Sequence, residues 1–353
     1  MNGRISTIKD VAAAAGVSTG TVSRVAAGST RISEATRTRV LEAMEALSYQ
    51  PNVAARAMRT NSSKTIGLLI PDMSCPVFIR VAIGAEEVLA EHGYVLFTFS
   101  SNRQESRELA FLRAARQRQM DGLIISLADE QSSETVRELR QMGVPMVVVD
   151  RDVPVDADVV LNEHFSAMEM LMQNLIGLGH RRIGLVCAPM NIRPGRERVR
   201  AYRDVLAKAG IEIDDTLIRA TGQGHDYGAA EAHDILTSAE PPTALIAAGS
   251  DTFYGALRAI RGLRLDIPSD ISFVGADDAH VGDICAPPIT MIERDMRQVG
   301  RMAAGLLLER FKGVSLPPRR VMLDSRVVLR SSLAPASAGK KPAQRKISAS
   351  FAS

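Results

Sequence analysis

The sequence predicts a small all-α headpiece carrying a helix-turn-helix, joined to an α/β body of two doubly wound parallel-sheet lobes. Three observations predict it. The stretch 7–24, TIKDVAAAAGVSTGTVSR, sets two short helical patterns around a glycine. From residue 64 onward the period changes, and short apolar runs alternate with helical stretches. Charge divides at the same place: residues 1–64 carry nine Lys and Arg against four Asp and Glu, whereas residues 65–333 carry 30 against 36. A basic end on a mildly acidic body suits a molecule that meets phosphates at one place only.

In the headpiece, expected to span residues 1–50, Thr7 sits at a helix N-cap with Asp10 three residues on, and Val11, Ala12 and Ala15 follow at helical spacing. Gly16 supplies a left-handed turn residue, Val17 closes the turn inward, and Ser18 caps a second helix through Arg24. Val22 and Val25 point back to the first helix, which leaves Thr19, Gly20, Ser23 and Arg24 on the outer face. In this motif that face enters the major groove of DNA. A third helix is expected over residues 33–47, capped by Ser33, with Val40, Leu41, Met44 and Leu47 as its apolar stripe. Tyr49-Gln50-Pro51-Asn52 then breaks the pattern, and residues 53–59, VAARAMR, fit two helical turns capped by Asn52. A helix that short needs outside support, so residues 51–63 are assigned as hinge and linker.

The body, residues 64–333, contains TIGLLI, YVLFTF, GLIIS and PMVVVD, then RIGLVC, TALIAA and ISFVGA, separated by helical stretches such as 78–91 and 105–118. Such alternation implies right-handed parallel crossovers, and ligands bind at the carboxyl ends of the strands. Those ends carry Asp150, Arg198 just beyond RIGLVC, Ser250 and Asp251, and the pair Asp277-Asp278.

Other classes are disfavoured. GLGHRRIG at 177–184 imitates a dinucleotide fingerprint, but its third glycine arrives two residues late and it precedes a strand. Neither a Walker loop nor a Gly-x-Ser-x-Gly elbow occurs, and the six histidines and three widely spaced cysteines form no metal or disulfide pattern. No enzyme activity, metal or cofactor is therefore expected. Apolar runs fall short of the roughly 18 residues of a membrane span, and no signal-type core begins the chain, so the expected location is the cytoplasm. Residues 334–353, with four basic and no acidic residues, are expected to be a disordered tail.

The runs DVAAAAGVSTGTVSRV, RISEATRTRVLEAMEALSYQPNVAARAMR and IGLLIPD resemble the lactose/galactose repressor family of bacterial transcription regulators, and the resemblance extends to about Leu333. It implies a headpiece, a hinge helix and a periplasmic-binding-protein-like effector domain. It also implies a homodimer on a pseudo-palindromic double-stranded DNA operator, a repressor whose affinity is set by a small effector, a sugar or sugar acid, between the lobes. Thr19 and Gly20 take the variable base-reading positions and Arg24 the guanine contact. Because Gly20 has no side chain, the operator is expected to be read more weakly at one position, or through Thr19 and Thr21 instead. Met58 stands where the family inserts a leucine wedge into the minor groove, followed by the basic Arg59; Thr7, Ser18, Ser23, Tyr49, Asn52 and Ala55 complete the DNA-contacting set. Asp150, Arg198 and Asp277 match residues that bond effector hydroxyls. Ser250, Asp251, Phe78 and Arg294 fall where this chain departs from the common pattern. Arg294 favours an anionic effector or pairs with a nearby carboxylate. Chain crossings between the lobes are expected near Leu161, Thr290 and Leu323. The alternative is a cytoplasmic sugar-binding or sugar-processing protein with an accessory DNA-contacting domain.

If Met58 is the wedge, Met58→Gly abolishes the operator bend and leaves the body folded. Gel-shift bend analysis checks this: an unchanged kink rejects the assignment.

Overall fold

Small apolar residues at helical spacing let the headpiece helices approach closely. A computed structural model describes residues 6–26, 29, 31–49, 62–277, 279–313 and 317–336, which divide into two compact units, Met1–Lys64 and Thr65–Ser353. In the first unit α1 (Ile8–Ala15), α2 (Thr19–Ala26) and α3 (Glu34–Ala46) bury Val11, Ala12, Ala15, Val22, Val25, Val40 and Ala43. Thr7 and Asp10 form a reciprocal capping box: Asp10 N donates to Thr7 Oγ1 at 3.4 Å, and Thr7 N to Asp10 Oδ2 at 2.8 Å. Gly16, with φ 64°, ends α1 in the left-handed region. Ser18 Oγ accepts from Thr21 N at 3.2 Å and so caps α2.

Two local expectations fail in α3. Leu41 is 49% exposed, because at 100° per residue it lies well off the stripe formed by Val40, Ala43, Met44 and Leu47. Ser33 precedes the helix but makes no side-chain cap; its hydroxyl donates instead to Thr36 Oγ1 at 2.9 Å. The hinge residues Asn52, Ala55, Met58 and Arg59 lie outside the described residues.

The second unit holds two six-stranded sheets. The first lobe's sheet runs in the order β11 (Arg320–Leu323), β5 (Asp158–Asn162), β4 (Met146–Val149), β3 (Gly122–Ile125), β1 (Thr65–Ile70), β2 (Val95–Ser100). In the second lobe the order is β12 (Ser325–Val328), β10 (Thr290–Arg294), β9 (Ser272–Ala276), β8 (Ala244–Ala248), β6 (Ile183–Cys187), β7 (Ile218–Arg219). Every pairing is parallel except β10 with β12, which corrects the purely parallel expectation for that edge. Helices cover both faces of each sheet, which is why the strands read as continuous apolar runs. α4 (Pro76–Glu91) and α12 (Met296–Arg310) pack on one face of the first sheet, α5 (Glu105–Gln117) and α6 (Ser133–Arg140) on the other. α7 (Phe165–Gly177) and α8 (Arg193–Lys208) cover one face of the second sheet, α9 (His225–Leu236) and α10 (Ser250–Gly262) the other. The short α11 (Ala279–Ile284) follows β9.

The chain changes lobe between β5 and α7, between β10 and α12, and between β11 and β12. The second crossing therefore comes at the end of β10, not at its first residue Thr290, because Thr290, Met291 and Ile292 pair with β9 and the strand pairs with β12 as far as Arg294 before the chain leaves. All three crossings gather at one edge, so the lobes can hinge there. Returning α12 is locked onto α4: a Cβ on Gly84 would meet Arg297 O at 1.9 Å, and one on Gly300 would meet Val81 O at 2.1 Å.

The tail also differs from expectation. Ala334 N donates to Ser272 Oγ at 3.0 Å, His180 Nε2 donates to Ala334 O at 3.0 Å, and Ala336 N donates to Leu178 O at 2.8 Å. Residues 334–336 thus belong to the body, where they satisfy polar groups at the ends of its elements; residues 337–353 lie outside the described residues. Among the described residues no helix is long and apolar enough to cross a membrane.

Because backbone stands opposite each glycine, Gly300→Ala is expected to cost about 1–3 kcal/mol or more. Denaturant unfolding measures it; an unchanged midpoint would show that the two helices can separate freely.

Candidate functional site

Two regions bring the predicted site residues together. On the headpiece, Thr7, Ser18, Thr19, Gly20 and Arg24 are exposed, while Thr21, Ser23 and Tyr49 are half-buried. Arg24 Nε donates to Gly20 O at 3.2 Å, which lays the guanidinium along the outer face of α2. Thr7 Oγ1 donates to Asp10 Oδ2 at 2.7 Å and is engaged in the cap. Tyr49 packs against the headpiece core. Sequence reading missed Arg37, whose Nη2 donates to Ser29 O at 2.6 Å and anchors the stretch after α2 to α3.

In the second unit the strand ends of both lobes face a common cleft. Phe78, Arg103, Asp150, Arg198, Ser250, Asp251, Asp277 and Arg294 all line it, together with Gln223 and Met296. Its empty space, counting the part open to solvent, is about 600 Å³. Asp150 follows β4 in the first lobe and Asp277 follows β9 in the second. Each keeps its N–H in the sheet, to Val160 O at 2.8 Å and to Ile292 O at 2.9 Å. Each also turns into positive φ, 52° and 80°, a costly conformation for a side-chain-bearing residue that here directs the carboxylate into the cleft. Asp278 lies outside the described residues.

The charges in the cleft are paired. Arg294 contacts both Asp277 and Asp150. Arg198 Nη1 donates to Ala248 O at 2.9 Å, and its Nη2 lies 3.5 Å from Asp277. Arg103 bridges Asp72 of its own lobe at 2.5 Å and Asp251 of the other at 3.0 Å. Also between the lobes, outside the lining of the cleft, Arg196 meets Glu130 and Asp152. Arg151 is buried against the carbonyls of Leu127 and Asp150. Burial would raise the Asp277 carboxyl, but the Arg294 and Arg198 guanidiniums hold it below the usual carboxylate range. His164, at the first crossing, lies 2.9 and 3.1 Å from the Asp150 oxygens. Burial pushes its imidazole down to about 4, so it is neutral at pH 7 and donates from Nε2 to the carboxylate.

Residues 7–52 match the model for bacterial regulatory proteins, lacI family, and residues 172–333 match that for a periplasmic binding protein-like domain. The HTH-type transcriptional repressor PurR of Haemophilus influenzae (strain PittEE) is 30% identical over 307 residues, which cover 87% of this chain and 91% of that protein. The chain belongs to the lacI family of bacterial regulatory proteins. Another relative, the HTH-type transcriptional regulator CelR of Thermobifida fusca, is 32% identical over 336 residues, covering 92% of this chain and 98% of its own length. A solved CelR–cellobiose complex superposes with a TM-score of 0.71 at 29% identity, covering 93% and 99% of the two chains. The lac repressor dimer bound to operator and the anti-inducer ONPF superposes with a TM-score of 0.81 at 25% identity, covering 94% and 100%.

In this regulator, sequence reading missed Asp72, Arg103, Glu130, Asp152, His164 and Arg196. Their only local signal is position just after strands β1 to β5 or, for Arg196, in the first turn of α8. Glu108 was missed too. It is buried on α5, accepts from Ala128 N at 2.8 Å, and is pushed up to about 7 by burial.

Two opposite pH dependences follow. The unfolded chain binds more protons at His164 between pH 6.5 and about 4, so His164 makes stability fall as pH drops through that window. Between pH 4.5 and about 7 the folded state holds the Glu108 proton, so Glu108 makes stability fall as pH rises. His164→Gln should therefore show a stability that declines more steeply with rising pH than the wild type, and Glu108→Gln the reverse, each by on the order of 2–3 kcal/mol across its window. Denaturant midpoints from pH 4.5 to 7.5 check it; parallel curves for all three proteins would contradict the assignment.

Proposed function

We propose that this regulator is a homodimeric repressor that reads a pseudo-palindromic operator through the exposed face of α2 and is controlled by an uncharged, hydroxyl-rich effector held between the lobes. The observation that carries the effector reading is a set of buried polar atoms in the cleft that make no hydrogen bond: Ser250 Oγ, Asp251 Oδ1 and Arg198 Nη2, the last two having only ion-pair contacts, with His225 at 3.8 Å and Asp277 at 3.5 Å. Each is costly to bury without one. Together they ask for a ligand that both donates and accepts, as a hydroxyl does.

Charge bookkeeping favours a neutral effector over a sugar acid. Arg103, Arg151, Arg198 and Arg294 in the lining stand against Asp150, Asp251 and Asp277, and Asp72, outside the lining, pairs with Arg103, so the charges balance. Of the two readings of Arg294 in the sequence, an anionic effector or a pair with a nearby carboxylate, its contacts with Asp150 and Asp277 support the second. Phe78 offers an apolar wall for a sugar ring. That a 29% identical relative is solved with cellobiose supports the sugar class, and that another is solved as a dimer on operator supports the DNA reading. Operator and effector affinities are linked, with a coupling of about 1–3 kcal/mol.

Arg24→Ala should cost roughly 1–3 kcal/mol of operator affinity and relax specificity at one position per half-site. Equal weakening on all sequences would make Arg24 a phosphate contact instead. In a thermal-shift screen, neutral sugars should raise the melting temperature where the matching sugar acids and phosphates do not, and Asp251→Asn should reduce that shift. A response confined to anionic compounds would sink the neutral-effector reading.

A further inference from the structure

Arg294 occupies a position with a counterpart in the other lobe. It ends β10, which neighbours β9, and the corresponding strand β5, which neighbours β4, ends in Asn162. In the first lobe the backbone N–H of Asn162 donates to Asp150 Oδ1 at 3.2 Å. The second lobe places a long cation there. Arg294 Nε and Nη2 lie 2.7 and 2.6 Å from Asp277 Oδ1, while Nη1 lies 2.9 Å from Asp150 Oδ2 across the cleft. Only 4% of the side chain is exposed. One cation thus touches one carboxylate from each lobe, as a bridging ligand would.

We propose that Arg294 is a built-in cationic ligand: its guanidinium occupies the carboxylate pair Asp150 and Asp277, closes the centre of the cleft, and sets effector specificity by excluding cationic molecules. Removing it would leave two buried carboxylates without the cation between them, Asp277 beside Arg198 and Asp150 held by neutral His164 and the Asn162 N–H, and an under-compensated buried charge is strongly unfavourable. Such a site takes up an amidinium or guanidinium group. With Arg294 in place the pair is closed to an incoming cation, and the effector is read by the atoms beside it that make no hydrogen bond. Only this last consequence rests on the proposed effector reading; the occupation of the carboxylate pair does not.

The test is chemical rescue in the full-length protein. Arg294→Ala is melted alone, with low-millimolar ethylguanidinium chloride, and with N-ethylurea, which has a similar shape and no charge, all at matched ionic strength. The variant should melt below the wild type. Ethylguanidinium should raise its melting temperature by at least ~2 °C, by mass action on the folded state. N-ethylurea should not, and the wild type should respond to neither. An unshifted variant, no response to ethylguanidinium, or an equal response to N-ethylurea would overturn the proposal. If Arg294→Ala does not accumulate as folded protein, the triple variant Arg294→Ala/Asp150→Asn/Asp277→Asn, which removes the charges with their counter-ion, should fold and ignore ethylguanidinium; a triple variant that also fails to fold, or that binds the cation, would count against it. Successful rescue alongside a failed sugar screen would reject the sugar reading alone, and the converse would reject this one alone.

Discussion

One guanidinium shared between two lobes constrains the second unit. Asp150 and Asp277 stand at corresponding strand ends, each bent into left-handed backbone so that its carboxylate enters the cleft while its N–H stays in the sheet. Two acids brought together in this way would repel, and burial would drive protons onto them. Arg294 and Arg198 prevent that, and His164 completes the set as a neutral donor. The centre of the cleft is therefore assembled only when both lobes, and the crossings between them, are in place.

Such a cluster adds little net stability. Desolvation of buried ions offsets most of their mutual attraction, and a well-packed apolar substitute often does as well. Losing any one member, by contrast, strands the others and is costly. The same logic extends to the outer contacts, where Arg103 and Arg196 bridge from one lobe to the other. The arginines of these outer pairs are more exposed than Arg294 and so more readily screened. The cleft thus grades from a fully buried centre to margins whose guanidiniums reach solvent while their carboxylate partners Asp251 and Glu130 stay buried.

Stability comes from elsewhere. Both sheets are sandwiched by helices, and the strands inside each sheet are buried almost throughout, whereas the outer strands β2, β7, β11 and β12 are only half-buried or exposed. The headpiece has a much smaller core of valines and alanines, so its short helices depend on local devices: the Thr7–Asp10 box, the Gly16 turn, the Ser18 cap and the Arg37 tether. Small residues in that core keep the helices close, and they leave the polar face of α2 turned outward.

Much was legible in the sequence. Caps, turns and periodicity involve residues a few positions apart, so the sequence by itself determined the helix-turn-helix, the seven strands that form long apolar runs, the two-lobed α/β class and the strand-end positions of Asp150, Ser250, Asp251 and Asp277. Misreadings arose where local pattern underdetermines the answer. Leu41 is apolar but lies off the buried stripe, Ala334 and Ala336 are held by groups distant in sequence, and the edge strands β7, β11 and β12 carry weak patterns. Only the tertiary structure decided who pairs with whom. Arg294 meets Asp150 across 144 positions and Arg103 meets Asp251 across 148, and no local propensity encodes such contacts. Whether an added arginine invites an anion or neutralises an acid depends on which carboxylates the fold carries to it, and that is fixed by the packing of the two lobes.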